Sequence, residues 1–189
     1  TGTYPKSALV TTDTEIESQS MVDYLCSCGH KRIAFITSGD EGLGRCHLNG
    51  YKRSLEKNGL EYDEKLIIRL KPGKRIYTIE NGYNCTCELL KSGVDFSCIY
   101  AISDTLAVGA CRAIIDSGKR VPEDYCVAGA DGQDIAEYYH PSITTLKYPR
   151  VETALQSVRT LFDLIDRKKV VKRQILSGTL IERESTRKL

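Results

Sequence analysis

A chain of 189 residues is long enough for one domain, or for two small lobes that share connections. With 41% apolar and 28% charged residues it can bury a sizeable core. No apolar run approaches the roughly 20 residues of a membrane span, nothing resembles a signal peptide, and a net charge of +2 with no basic face argues neither for nor against nucleic acid.

Thr14 and Glu17 fit a capping box, a hydroxyl followed three residues later by a carboxylate, which predicts a helix start there. That helix buries Val22, Leu25 and Cys26 and stops at Gly29. A strand is predicted over Arg32 to Thr37, then the glycine-rich loop "GDEGLG" (Gly39 to Gly44), then a helix carrying Leu48, Tyr51 and Leu55 and ending at Gly59. Next come a strand over Leu66 to Leu70, a helix over Asn81 to Lys91, and a third glycine stop at Gly93. The strand Ser97 to Ile102 leads to Asp104, placed as a helix N-cap, and its helix ends at Gly118. The apolar run Tyr125 to Ala128 is one more strand. Pro149 suits the first turn of a last helix, whose stripe is Val151, Ala154, Leu155, Val158, Leu161, Phe162 and Ile165.

The strands are continuous apolar runs rather than alternating ones, as expected when both sheet faces are covered. Strand and helix alternate, and glycine, which adopts the left-handed cap conformation, closes each helix of the series. The fold class is therefore α/β, a doubly wound parallel sheet. In such sheets ligands bind at the carboxyl ends of the strands. Asp131 in "GADGQD" lies there, as do Ser103 and Asp104 one strand earlier and the loop Ser38 to Gly44. Asp131 could cap a turn, hold a metal or grip a polar ligand.

The eight cysteines include Cys98, Cys111 and Cys126 inside apolar segments, which read as small buried hydrophobes. The pairs Cys26/Cys28 and Cys85/Cys87 fall on helices, where residues two apart diverge, so no metal site is expected. Catalysis has little support. There is no G-x-S-x-G elbow, P-loop, H-E-x-x-H or G-x-G-x-x-G, and Asp40 and Glu41 would repel a phosphate from the glycine-rich loop. No cofactor is expected, and the chain is read as a non-enzyme.

Five stretches resemble the effector-binding region of the lactose-repressor/galactose-repressor family of bacterial transcription regulators. They are "GHKRIAFI" from Gly29, "NGYKRSLEKNG" from Asn49, "AISDTLAVGACRAIIDSGKRVPEDYCVAGADG" from Ala101, "HPSITTLKYP" from His140, and "LIERESTRKL" from Leu180, in the family's order and spacing. The resemblance implies a periplasmic-binding-protein-like fold of type I, mainly its C-terminal lobe, with the chain beginning near the family's first crossover and so N-terminally truncated. Residues 1–13 would end the first lobe and its crossover, 14–146 form the second lobe, 147–172 return a helix to the first lobe, and 173–189 return to the second. It also implies effector contacts from Asp131, Ser103 and Tyr77, and from Asp13 near the hinge. One position departs: where the family commonly carries an arginine, His47 stands, with Arg45 two residues earlier. An imidazole is a weaker anion anchor than a guanidinium, and its charge would change affinity between about pH 5.5 and 8.

The expected protein is the sensory part of a cytoplasmic, homodimeric repressor. It binds a small polar effector, sugar or nucleoside-like, and reaches operator DNA through a helix-turn-helix outside this segment. A periplasmic sugar-binding protein of a transporter is the alternative. On the blander reading, Asp131 and Asp13 satisfy turn amides, Tyr77 covers apolar surface and His47 is a solvated histidine.

Overall fold

The computed structural model, which describes residues 7–71, 73 and 75–189, turns the alternating pattern into two sheets. In chain order the elements are β1 (Leu9–Thr12), α1 (Thr14–Ser27), β2 (Ile33–Thr37), α2 (Gly42–Lys57), β3 (Ile67–Arg69), α3 (Ile79–Lys91), β4 (Cys98–Ala101) and α4 (Asp104–Asp116). There follow β5 (Cys126–Asp131), α5 (Asp134–Tyr138), β6 (Thr144–Lys147), α6 (Arg150–Ile165), β7 (Arg173–Leu176) and β8 (Thr179–Ile181).

Six strands form the main sheet in the order β3-β2-β4-β5-β6-β8, and β1 pairs with β7 in a separate two-stranded one. All neighbours in the main sheet are parallel except β6 and β8. Every residue of β2 and β4 is buried, which is why those strands read as unbroken apolar runs. The aromatic centre of the core is Phe35, stacked on Tyr51 at 4.9 Å and on Tyr100 at 5.2 Å, and the Tyr51 hydroxyl donates to the Ile33 carbonyl at 2.8 Å. The order of strand addition reverses about β2: β3 lies on one side of it and β4 on the other. The loops after β2 and β4 therefore diverge and leave a crevice between them.

The helices pack as two pairs, α1 with α2 and α3 with α4. The second pair is close enough to touch backbone to backbone. A Cβ on Gly82 would lie 2.2 Å from the Leu106 carbonyl oxygen, and one on Gly109 would lie 2.1 Å from that of Ile79. The glycine stops hold: Gly29, Gly59, Gly93 and Gly118 all have positive φ.

Three expectations need correction. Asp13, not Thr14, caps α1, and its Oδ1 accepts from the Ile16 N–H at 3.2 Å; Glu17 does not turn back to complete a capping box. Asp104 is the first residue of α4 rather than its cap, which is Ser103, and its carboxylate reaches across to other strands. Residues 173–176, expected with the return to the main sheet, pair instead with β1, so the chain re-enters the main sheet only after Gly178. The apolar stripe of α6 is largely exposed, with Val151, Leu155, Val158, Leu161, Phe162 and Ile165 all more than half accessible. That helix packs on β1 through its opposite side, where Thr160 is buried.

Candidate functional site

The crevice at the carboxyl ends of the main-sheet strands encloses about 330 Å³. Its floor comes from Ile102 and Ser103 after β4, Asp131 at the end of β5, and Tyr148 just after β6. Leu43 and His47 of α2 form one wall, Tyr77 ahead of α3 another, and Thr11, Thr12 and Thr14 come from the crossing between β1 and α1. Asp131 is held in an unusual backbone conformation for a residue with a side chain, φ 106°. Its Oδ2 accepts from Gln133 Nε2 at 2.8 Å, and the Arg150 guanidinium stands 3.8 Å from Oδ1.

Asp104 holds this loop in place from behind. It is fully buried, its Oδ2 accepts from the Gln133 N–H at 2.7 Å, and its Oδ1 accepts from the Thr145 hydroxyl at 2.6 Å. Gly129 leaves room for it, since a Cβ there would come within 2.4 Å of Asp104 Oδ1. Burial pushes the Asp104 carboxyl up to about 6 against the lowering effect of those two donors, with the charge of Asp131 adding to the rise. Burial also raises the Asp131 carboxyl, opposed by Gln133, Ser103 and Arg150.

His47 is 6% exposed and its Nδ1 has no partner. Burial alone lowers its imidazole to about 4, so the ring is neutral across the ordinary pH range. Of the neutral and half-charged imidazoles that the sequence left open, burial favours the neutral one: residue type sets the reference value, but desolvation decides. Ser103 is also buried, and its hydroxyl pairs with that of Thr105 at 2.9 Å while acting on the neighbouring Asp131 carboxyl. Tyr77 is 43% exposed and offers its ring at the crevice mouth.

Asp131, Ser103, Tyr77 and His47 thus come together from four segments. Arg45 does not join them; it is exposed and outside the crevice lining. Asp13 is engaged as a helix cap and lines a smaller cavity of about 180 Å³ on another side of α1, with Glu17, Ser20, Ser177 and Gly178. Sequence reasoning missed Tyr148 and the three threonines. Tyr148 was findable, because it comes directly after β6, the neighbour of the strand that Asp131 ends; the threonines depend on a crossing that no local pattern reveals. Asp40 of the glycine-rich loop is bound by Arg69 through both carboxylate oxygens, at 3.0 and 2.8 Å. The crevice offers one carboxylate, several hydroxyls, a neutral imidazole and an aromatic face, a set suited to hydrogen-bonding a hydroxylated molecule and stacking on it.

Residues 22–186 match the family model for a periplasmic binding protein-like domain. The transcriptional regulator MalR of Clostridium butyricum is 41% identical over 146 residues, 77% of this chain and 42% of that protein. A sugar-binding transcriptional regulator of the LacI family from Escherichia coli, solved with phosphate, superposes with a TM-score of 0.86 at 32% identity, over 94% of this chain and 63% of the other. A LacI-family regulator from Enterococcus faecium, solved with bound ribose, gives a TM-score of 0.84 at 28% identity, over 100% of this chain and 68% of that one. The chain spans about half the length of the curated relatives it matches, 42% and 49% for two of them.

Proposed function

This chain belongs to the periplasmic-binding-protein-like domain family as carried by LacI-family transcriptional regulators, and from that premise we propose that it senses the effector of a repressor. The effector is an uncharged, hydroxyl-rich molecule, a sugar or a nucleoside. The observation that carries this reading is the charge of the crevice. Asp131 is presented at its floor, His47 is neutral, and the Arg150 charge faces Asp131. A carboxylate accepts strongly from sugar hydroxyls and repels an anion. Binding then biases DNA affinity by thermodynamic linkage, because an effector that favours one arrangement of the protein shifts the population toward it.

The relatives are regulators, so the transporter alternative is set aside. We place the protein in the cytoplasm as a homodimer that contacts operator DNA through a separate helix-turn-helix. Among the described residues no helix is long and apolar enough to cross a membrane. His47 Nδ1 has no hydrogen-bond partner and so activates no hydroxyl of the crevice, which supports a binding role over a catalytic one. Calorimetry on the full-length protein with ribose, cellobiose, adenosine and ribose 5-phosphate tests the reading. Binding of a neutral member with none of the phosphate is expected; preference for the phosphorylated sugar would sink it.

A further inference from the structure

Three chain segments run between the small sheet with its helix α6 and the main sheet: Thr12–Asp13, Tyr148–Pro149 and Ser177–Gly178. One buried side chain is bonded to the last of them and interacts electrostatically with the other two. Glu17 of α1 is 5% exposed, and its Oε1 accepts from the Gly178 N–H at 2.9 Å. Thr12 and Tyr148 act on it electrostatically: the Thr12 side chain lowers its carboxyl, and its charge raises the Tyr148 phenol. The contact with Gly178 is tight: a Cβ there would meet Glu17 Oε1 at 3.0 Å and the Lys147 carbonyl oxygen at 3.1 Å. Oε2 has no partner. A glutamate three residues past a helix start ordinarily folds back on the cap. This one is turned inward, where an unpaired charged oxygen is costly.

We propose that Glu17 is a positioning residue for the crevice, a clasp that ties the Ser177–Gly178 crossing to α1 and so to the part of the crevice carried by Thr11 and Thr12 just ahead of that helix. The proposal rests on reading that crevice as the effector site. The clasp has a direction with pH. Burial raises the Glu17 carboxyl from 4.5 to about 7, against the Gly178 N–H and the Thr12 hydroxyl, with Asp13 adding to the rise. The titratable groups around it are Asp13, which caps its helix, Tyr100 of β4 and Tyr148 after β6, with Asp104 and Asp131 acting on the same two phenols. The Lys147 side chain lies away over Gly132. Once the clasp opens, water returns the carboxyl to its ordinary value, so opening releases a proton. The closed form is favoured at low pH and loses that advantage as pH rises through about 7.

Backbone amide exchange at residues 176–179 of the full-length protein reads the clasp, as protection factors corrected for intrinsic rate at pH 6 and 8. Between a free value of 4.5 and a clasped value of about 7, linkage predicts a fall in protection of roughly tenfold over that interval. Glu17→Gln keeps an acceptor for Gly178 but cannot titrate, so its profile should be flat. Gly178→Ala crowds the clasp from the other side and should lower protection at both pH values. Ribose and cellobiose titrations at the same two pH values add a second readout, in which the wild-type affinity for a bound sugar changes with pH and that of Glu17→Gln does not. A flat wild-type exchange profile, or one that survives in a folded Glu17→Gln, overturns the clasp. Exchange as expected with neither sugar bound upholds it and counts against the crevice reading instead.

Discussion

Replacing Asp104 with asparagine should make the protein more stable at pH 8 and leave it nearly unchanged at pH 4. Asp104 is fully buried and its carboxyl rises from 3.8 to about 6, chiefly through burial. The folded state thus holds a proton that the unfolded chain releases near 3.8. Stability tied to this group is fully present below that value and is lost as pH rises through about 6. A gap of about two pH units corresponds to roughly 3 kcal/mol. An asparagine has the shape of the protonated acid and the same bonding capacity: its carbonyl accepts from the Gln133 N–H, and its amide donates to the Thr145 oxygen, whose hydroxyl can turn. The substitution therefore keeps both contacts and removes the cost of ionisation, giving a gain at pH 8 of up to about 3 kcal/mol. Urea unfolding at pH 4, 6 and 8, followed by two probes to check two-state behaviour, measures it. The reasoning fails if Asp104→Asn is less stable than wild type at pH 8, or if the difference between the proteins does not grow with pH. Either result would mean that the two donors outweigh burial and keep the carboxylate charged.

Asp131→Ala in the full-length protein should weaken binding of a neutral sugar by about 1.5–3 kcal/mol, the range for hydrogen bonds to a charged group, with an unchanged melting temperature; equal affinities by calorimetry would remove Asp131 from the contact set. Sugar affinity should be insensitive to the protonation of His47 between about pH 5.5 and 8, because burial keeps that ring neutral there. A pH dependence in that window that disappears in His47→Gln, measured in a Glu17→Gln background, would show the imidazole titrating. The 189-residue polypeptide should self-associate through α6, whose exposed side chains each forgo about 1.5–3 kcal/mol of burial. Sedimentation velocity should show Leu161→Lys with Phe162→Lys shifting it toward monomer without loss of thermal stability, and a wild type monomeric at high concentration would contradict the prediction.

The strands and glycine stops were legible because their signals are local: an apolar run records two covered faces, and a glycine beyond a helix records a left-handed residue. Asp131 and Ser103 were legible one level up, since any polar residue ending a parallel strand faces the crevice. What escaped depends on contacts far apart in sequence. The pairing of β1 with β7 joins Leu9 to Arg173, and neither strand carries a sign of its partner. Glu17 looked like half of a capping box because the motif is satisfied by spacing alone, whereas its real partner is Gly178, 161 residues away. Asp104 fits a cap by type, and only the fold brings Thr145 and Gln133 to it. His47 shows the same limit for charge: its protonation is fixed by the packing around it.

The contact between α3 and α4 restricts how this domain can be recombined. Gly82 faces the Leu106 carbonyl and Gly109 faces that of Ile79, so each helix meets the other where it is already bare backbone. A methyl added on one helix cannot be absorbed by trimming the other, because there is no side chain left to trim. Chimeras with a relative that carries a side chain at either position must therefore inherit α3 and α4 from the same parent. A junction placed between them, in the stretch around β4, has to keep glycine at both of these positions, where a single added carbon would meet backbone.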